Sequence, residues 1–424
     1  MKFSFDEVAL GTIANFSYGY TETALNQGDI RFIRITDIDE RGNLKEANAR
    51  YINISDGIDK YTVKKGDLLV ARTGGTFGKT LYYNSDILSV YASFLIKINV
   101  DNSFLLPEFY FHFSQSNKYW FQAKNLVTGG GQPQFNANVL KEIVVPLPPL
   151  PEQKAIADLL FTWDKAIEKT ERLIQAKEKR LRQTAIWLLF GHRRLNNKSV
   201  ELTDSHFFKY PCDWKLVKIS RIAKEISERN GKSQETVLSC SKYDGFVNSL
   251  DYFGKQVFSS DTSNYKVIKK GQFGYPSNHV EEGSIGLLDH CEKGIVSPIY
   301  VVFEASKNKI HPLYLFKLLK TDIYQHIFQV STSSSVDRRG SLRWGKFSKI
   351  KVPLPPLKEQ QQIAETLSTI QQEIDLLKHL AEKYKTQKRG LMQKLLTGEW
   401  RIKPEILNKY KEALLWRKVK TSMS

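Results

Sequence analysis

Cysteine is scarce. The 424 residues hold three, Cys212, Cys240 and Cys291, scattered and without a Cys-x-x-Cys pair. That argues against structural zinc and against a disulfide framework, and it points to reduced thiols in a cytoplasmic protein. No run of about 18 apolar residues exists, so no membrane span is expected. The start, Met1-Lys-Phe-Ser-Phe-Asp-Glu7, lacks the apolar core of a signal peptide. Histidine is rare as well, with eight in the chain and no two at ligand spacing on one clear helix face, so no metal site is expected. There is no Gly-x-Gly-x-x-Gly and no Asn/Asp-Pro-Pro-aromatic tetrapeptide of the kind an adenine methyltransferase needs. Gly78-Lys79-Thr80 ends like a phosphate-binding loop, but Thr73 stands where the motif requires its first glycine. Asp213-Trp-Lys215 has the Asp-x-Lys spacing of a nuclease motif without a Pro-Asp pair before it. No catalytic constellation emerges, and the reading must be one of binding.

Acidic residues are also in deficit. Forty-five Asp and Glu face 63 Lys and Arg, a formal net charge of +18 and a pI near 9.5. An excess of that size suggests a polyanionic partner, usually DNA or RNA.

The most informative feature present is a repeat. Val145-Pro-Leu-Pro-Pro-Leu150 returns 207 residues later as Val352-Pro-Leu-Pro-Pro-Leu357. Without a gap, Ile143–Leu160 and Ile350–Leu367 agree at 12 of 18 positions, including Glu152-Gln153 with Glu359-Gln360. The same offset still pairs Arg182 with Arg389, Gly191 with Gly398 and Arg194 with Arg401. The period is too long for a solenoid, whose units run about 20–50 residues; a whole domain with its helix has been used twice.

Both copies carry apolar residues stepping by four and three. Ile156, Leu160, Trp163, Ile167, Ile174, Leu181 and Leu188 form the first seam. Ile363, Leu367, Ile370, Ile374, Leu377, Tyr384, Leu391 and Leu395 form the second. This is the 3.5-residue repeat of a coiled coil. Pro148-Pro149 and Pro355-Pro356 forbid an earlier helix start, and Gly191 and Gly398 suit helix stops. At about 1.5 Å per residue each helix would run roughly 54–58 Å, with no obvious place on one domain of about 150 residues, so the two seams are expected to bury each other.

The segments ahead of the helices read as mixed α/β. Ile30–Ile35, Asp67–Ala71 and Phe94–Ile98 look like strands, and Pro107–Trp120 and Pro312–Phe328 look like proline-opened helices. Val63-Lys-Lys-Gly-Asp67 echoes Ile268-Lys-Lys-Gly-Gln272, but the halves otherwise diverge. The polar loops are the candidate contact surfaces: Ala71–Thr80 and Thr128–Asn136 in the first half, Tyr275–His279 and Ser331–Gly340 in the second. Glycine admits a phosphate backbone closely, and Arg, Lys, Gln and Asn can pair with purine edges. Trp187, Phe190, Met392 and Trp400 near the helix ends suit either a partner or the chain's own domains. Pro404–Trp416 reads as an amphipathic helix with Ile406, Leu407, Tyr410, Leu414 and Leu415 on one side.

These residues resemble a known family, the specificity (S) subunits of type I restriction-modification enzymes. Its marks are Pro146-Leu-Pro-Pro-Leu-Pro-Glu-Gln153, Pro353-Leu-Pro-Pro-Leu-Lys-Glu-Gln360, Gly66–Gly74 with Gly78-Lys-Thr80, and Gly130-Gly-Gln-Pro-Gln-Phe-Asn136. Ser277-Asn-His279 stands where the first half has Arg72-Thr-Gly74. The resemblance implies an α/β protein: two tandem mixed α/β target recognition domains joined by two long helices in an antiparallel coiled coil with pseudo-two-fold symmetry. The corresponding spans are 1–150 and 196–356 for the domains, 151–195 and 357–402 for the spacer helices, and 403–424 for a tail helix packing near the first domain. Each domain would read half of a split, asymmetric DNA site, with half-site centres about 10–16 bp apart. Two methyltransferase subunits carrying S-adenosylmethionine would dock, and restriction subunits using ATP and Mg could join; this chain would bind no cofactor and catalyse nothing. The DNA-contact candidates are Arg72, Thr73, Gly74, Lys79, Gly130, Gln132, Gln134 and Asn136 in the first half, and Ser277, Asn278, His279, Arg338, Arg339 and Arg343 in the second. A self-sufficient nuclease and a coiled-coil scaffold without a nucleic-acid role are the competing readings.

Overall fold

In the computed structural model the described residues are 5–127, 135–196, 199–242, 245–332 and 341–421, the last nine by backbone alone. The chain divides into two compact units, Met1–Glu171 with His379–Ser424, and Arg172–Lys378. Each therefore holds one half of each long helix, Leu150–Leu189 and Leu357–Leu396. Among the described residues no helix is long and apolar enough to cross a membrane.

The first unit is built on an antiparallel sheet in the order Ala14–Tyr18, Leu95–Val100, Leu68–Ala71, Thr80–Tyr82. All four residues of Leu68–Ala71 are buried, because both faces of the sheet are covered. The two-residue period of a strand sorts them. Leu68 and Val70, with Ile98 and Ile96 opposite, enter one cluster with the helices Pro107–Phe113, Asn117–Leu126 and Ala137–Glu142. Leu69 and Ala71 face the other way, toward Ile33 and Tyr91 of a second sheet. That sheet runs Arg50–Ile52, Ile30–Ile33, Ser89–Tyr91, Thr62–Val63, with the middle pair parallel.

The second unit repeats this topology. Ala223–Ile226, Tyr300–Ala305, Gln272–Pro276 and Gly286–Leu287 take the same order. The hairpin Leu238–Ser241 with Gly245–Asn248 and the antiparallel pair Lys266–Lys269 with Lys293–Val296 are linked by a parallel bridge from Val237 to Ile295. The echoed Lys-Lys-Gly turns close alike: Asp67 accepts from the Lys64 amide at 2.8 Å and Gln272 from the Lys269 amide at 2.9 Å. An added hairpin, Leu202–Asp204 with Lys209–Pro211, belongs to the second unit.

Each proline-opened helix is in fact two. Pro107–Phe113 stops and Asn117–Leu126 restarts; Pro312–Leu319 stops and Asp322–Ser331 restarts. The Ser116 and Thr321 hydroxyls accept from the amides of Tyr119 and Tyr324 and cap the restarts, so an aromatic-rich run that looks continuous turns a corner.

The long helices are antiparallel in both units. In the first, Glu152 meets Arg401, Trp163 meets Tyr384 (ring centroids 5.6 Å apart), Asp164 meets Lys388 and Glu171 meets Lys385. In the second, Lys177 meets Glu373, Glu178 meets Lys378 and Arg194 meets Glu359. Seam residues Ile156, Leu160, Ile167, Ile174, Leu188, Ile363, Leu367, Ile374 and Leu395 are buried; Trp163, Leu181, Ile370, Leu377, Tyr384 and Leu391 are half-buried. Glycines stop the helices, with φ of +70° at Gly191 and +76° at Gly398.

Each head's core runs without a break into the helix pair. Phe109, Tyr119 and Phe135 share a cluster with Ile156, Leu160, Met392 and Leu395. Tyr314, Tyr324 and Phe347 share one with Leu188, Phe190, Ile363 and Leu367. The repeated Glu-Gln pair explains why the helix starts are so alike. Gln153, fully buried, accepts from the Leu106 amide and donates to the carbonyls of Phe104 and Pro148. Gln360, equally buried, makes the same bonds to His311, Lys309 and Pro355.

Of the apolar residues near the helix ends, Phe190 and Met392 are core, while Trp187 and Trp400 are exposed. The tail forms a helix over Pro404–Thr421. Leu407 and Tyr410 are half-buried and Ile406 is exposed. Burial and then the neighbouring Asp158 carboxylate raise the Tyr410 phenol above its ordinary range. The side chains of Leu414 and Leu415 lie outside the described residues.

One buried histidine should make the first unit acid-sensitive. His112 is fully buried, edge-on to Phe161 at 4.4 Å, with Nδ1 4.0 Å from Asp164, which Lys388 engages at 2.6 Å. Burial, then the Lys388 charge, hold its pKa well below 6.5. The unfolded imidazole therefore takes a proton that the folded one refuses, and stability should fall as pH drops below about 6.5. Asp164 is shifted upward by burial, so it acts in the opposite sense as its carboxylate takes up a proton. Melting temperatures between pH 7.5 and 5.5 should drop less steeply for His112→Phe than for the unmodified chain; parallel curves would refute the assignment.

Candidate nucleic-acid interface

In the first unit three segments converge where the strand Leu68–Ala71 ends. The Arg72 amide donates to the Phe94 carbonyl at 3.0 Å, and the Phe135 amide donates to the Arg72 carbonyl at 2.8 Å. The turn before Leu95 and the approach to the helix Ala137–Glu142 are thus both fastened to one residue. The Arg72 guanidinium lies over the Tyr18 ring, 5.1 Å from its centroid, its Nη1 reaches the Ser93 carbonyl at 3.5 Å, and its Nε is buried without a partner. A planar cation held on an aromatic face keeps hydrogen-bonding capacity for a ligand.

The other first-half candidates differ in what they offer. Thr73 is buried, so its side chain stands behind the surface. Gly74 and Gly78 adopt φ of +70° and +77°, and a side chain at Gly78 would press on the Trp120 ring 3.2 Å away. Lys79, half-buried, is ion-paired with exposed Glu40 at 2.6 Å. Asn136 caps the helix Ala137–Glu142, its Oδ1 accepting from Asn138 and Val139, so its first duty is structural. Gly130, Gln132 and Gln134 lie outside the described residues.

The second unit builds the same junction with other side chains. The Ser277 amide donates to the Ile299 carbonyl at 3.3 Å, and the Leu342 amide donates to the Ser277 carbonyl at 2.7 Å. Ser277 therefore occupies Arg72's place, but it is buried. Asn278 is half-buried. His279 is exposed and sits 3.3 Å from Glu282, with Glu281 also close, so this surface mixes charge of both signs. Arg343 is exposed at the N-cap of the helix Trp344–Phe347, the position Asn136 holds in the first unit. Arg338 and Arg339 lie outside the described residues.

Two residues at this junction escaped the sequence reading. Tyr18, 43% exposed, supports Arg72. Phe94 reads as the first residue of a strand, but the Leu95 amide closes a turn onto the Ala92 carbonyl at 2.8 Å, and the strand starts only at Leu95. An apolar residue inside a run of β-formers carries no signal that it belongs to a turn.

The family model for the type I restriction modification DNA specificity domain matches this chain twice, over residues 5–178 and 211–385. The chain belongs to that family. Each match spans one head and runs into the long helix that follows it. Among similar proteins, the type I restriction enzyme MjaVIII specificity subunit of Methanocaldococcus jannaschii is 26% identical over 356 residues, 80% of each chain. The putative MjaX specificity subunit of the same organism is 26% identical over 313 residues, 69% of this chain and 67% of that one. The fold is that of the type I restriction-modification S subunit from M. genitalium, with a TM-score of 0.57 at 16% identity over 92% of this chain and 96% of that one.

Proposed function

We propose that this family member is the DNA sequence-specificity subunit of a type I restriction-modification system, each unit binding one half of a bipartite, asymmetric site. The observation that carries this reading is the junction built twice on the same backbone bonds, with Arg72, Tyr18 and Phe94 in one unit and Ser277, Arg343 and Ile299 in the other. Identical scaffolds with unlike side chains suit two different half-sites. Arg72, Lys79, Asn136, Asn278, His279 and Arg343 are exposed or half-buried side chains available to bases and phosphates; Gly130, Gln132 and Gln134 precede Asn136 in sequence, and Arg338 and Arg339 precede Arg343. The paired helices set the distance between half-sites and dock two methyltransferase subunits. S-adenosylmethionine belongs to those partners, and ATP with Mg to restriction subunits; the chain itself supplies recognition and no catalysis.

Titrating the chain with its methyltransferase partner against duplex DNA tests this. Affinity should fall steeply with salt, as counterion release requires, and exceed that for a scrambled duplex. Absence of DNA binding would favour a scaffold, equal affinity for the scrambled duplex would contradict sequence specificity, and cleavage of DNA by the purified chain with a divalent metal would favour a nuclease.

A further inference from the structure

Phe94 and Ile299 occupy the same place in the two units. Each is the third residue of a four-residue turn, Ala92–Leu95 in one and Ser297–Tyr300 in the other, closed by an amide-to-carbonyl bond of 2.8 or 2.9 Å. In each the carbonyl of that third residue accepts from the amide of the residue that follows an inner strand of the sheet, Arg72 after Leu68–Ala71 or Ser277 after Gln272–Pro276. The backbone does this work, and any residue would serve it. Turns of this kind favour polar residues and glycine. Both units instead put a large apolar side chain there and leave it exposed, Phe94 at 54% and Ile299 at 45%, while Leu95 and Tyr300 beside them are buried. A single exposed apolar residue is ordinary on a protein surface. The same turn position exposed twice, in halves whose neighbouring loops have diverged, is not explained by packing.

We infer that Phe94 and Ile299 are base-contacting residues, one for each half-site, an inference that rests on the function proposed above. Their occupant follows from chemistry. Phosphates and sugars offer an apolar side chain little, whereas thymine methyls in the major groove and the faces of partly unstacked base steps offer apolar surface. The setting agrees in the first unit, where Arg72 is fastened to Phe94 through the backbone and lies on Tyr18, placing a cation and two exposed rings at one junction. Contact with bases rather than phosphates has a distinct signature, because it releases no counterions and leaves the salt dependence of binding unchanged.

The test uses the chain assembled with its methyltransferase subunits, titrated against the cognate duplex and against duplexes with one or the other half-site scrambled. Phe94→Ala should weaken cognate binding about 10- to 100-fold, the scale of one large apolar side chain brought out of water, with an unaltered salt slope. It should lose nothing further on the duplex whose matching half-site is scrambled. Ile299→Ala should show the same pattern for the other half-site, and Phe94→Leu should retain part of the affinity. Melting temperatures unchanged in both alanine variants would confirm that folding is intact. Cognate affinity unaltered by both substitutions, or a loss that persists equally on every duplex, would overturn the inference while the specificity reading stands. If the unmodified assembly shows no preference for the cognate duplex, the specificity reading fails and this inference fails with it.

Discussion

Arg401→Ala should destabilise the first unit by about 3–5 kcal/mol, the cost of stranding one partner of a buried ion pair. The Glu152 carboxylate is fully buried at the first turn of its helix. Arg401 donates to it from Nε at 2.9 Å and Nη2 at 2.7 Å, and the Ile402 amide adds a bond at 3.1 Å. Without the guanidinium, the carboxylate keeps one backbone donor and no countercharge. The asymmetry between partners makes the test sharp. Arg401 is 40% exposed, so Glu152→Ala leaves a cation that water can solvate, and it should cost less than Arg401→Ala. The second unit carries the same clasp 207 residues away: Arg194 reaches Glu359 at 2.6 Å and Asp213 at 3.0 Å while lying over Trp214. Denaturant unfolding of the two single variants and the double would read this directly; equal losses below about 1 kcal/mol would mean that the pair behaves as a surface salt bridge.

Leu160→Ala and Leu367→Ala should each cost about 2–5 kcal/mol, the range for emptying a packed leucine site. The two positions are repeat equivalents, and each is a member of its head's core as well as of the helix seam. Loosening the seam therefore loosens the head, and amide exchange should accelerate through the sheet of the affected unit as well as along the helices. Leu376 is the control. It lies on the same helix one residue before seam position Leu377, yet it is 70% exposed, and its replacement by alanine should stay within about 0.5 kcal/mol. Equal costs at Leu376 and Leu367 would contradict the seam.

The helices and their pairing were legible because a coiled coil writes its geometry into local spacing, and an ungapped repeat preserves that spacing. The Glu-Gln and Arg identities at the helix ends were legible as a pattern, but not as a mechanism. Only folding brings Gln153 to the carbonyls of Phe104 and Pro148, or Arg401 to a glutamate 249 residues earlier. The helix breaks at Ser116 and Thr321 were hidden because a hydroxyl cap inside an aromatic run looks like one more helical position. The contact surface was the least legible part. Arg72 could be named from its glycine-rich loop, but its aromatic support comes from Tyr18, on a strand far back in the chain. Thr73 and Ser277, polar and loop-borne, look available in sequence and are buried in the fold.

Mapping methylated bases in DNA from cells that express this chain with its methyltransferase tests the duplicated recognition module most directly. The expected result is one motif of two short specified blocks separated by a constant number of unspecified positions. A single uninterrupted block, or a gap that varies from site to site, would contradict it.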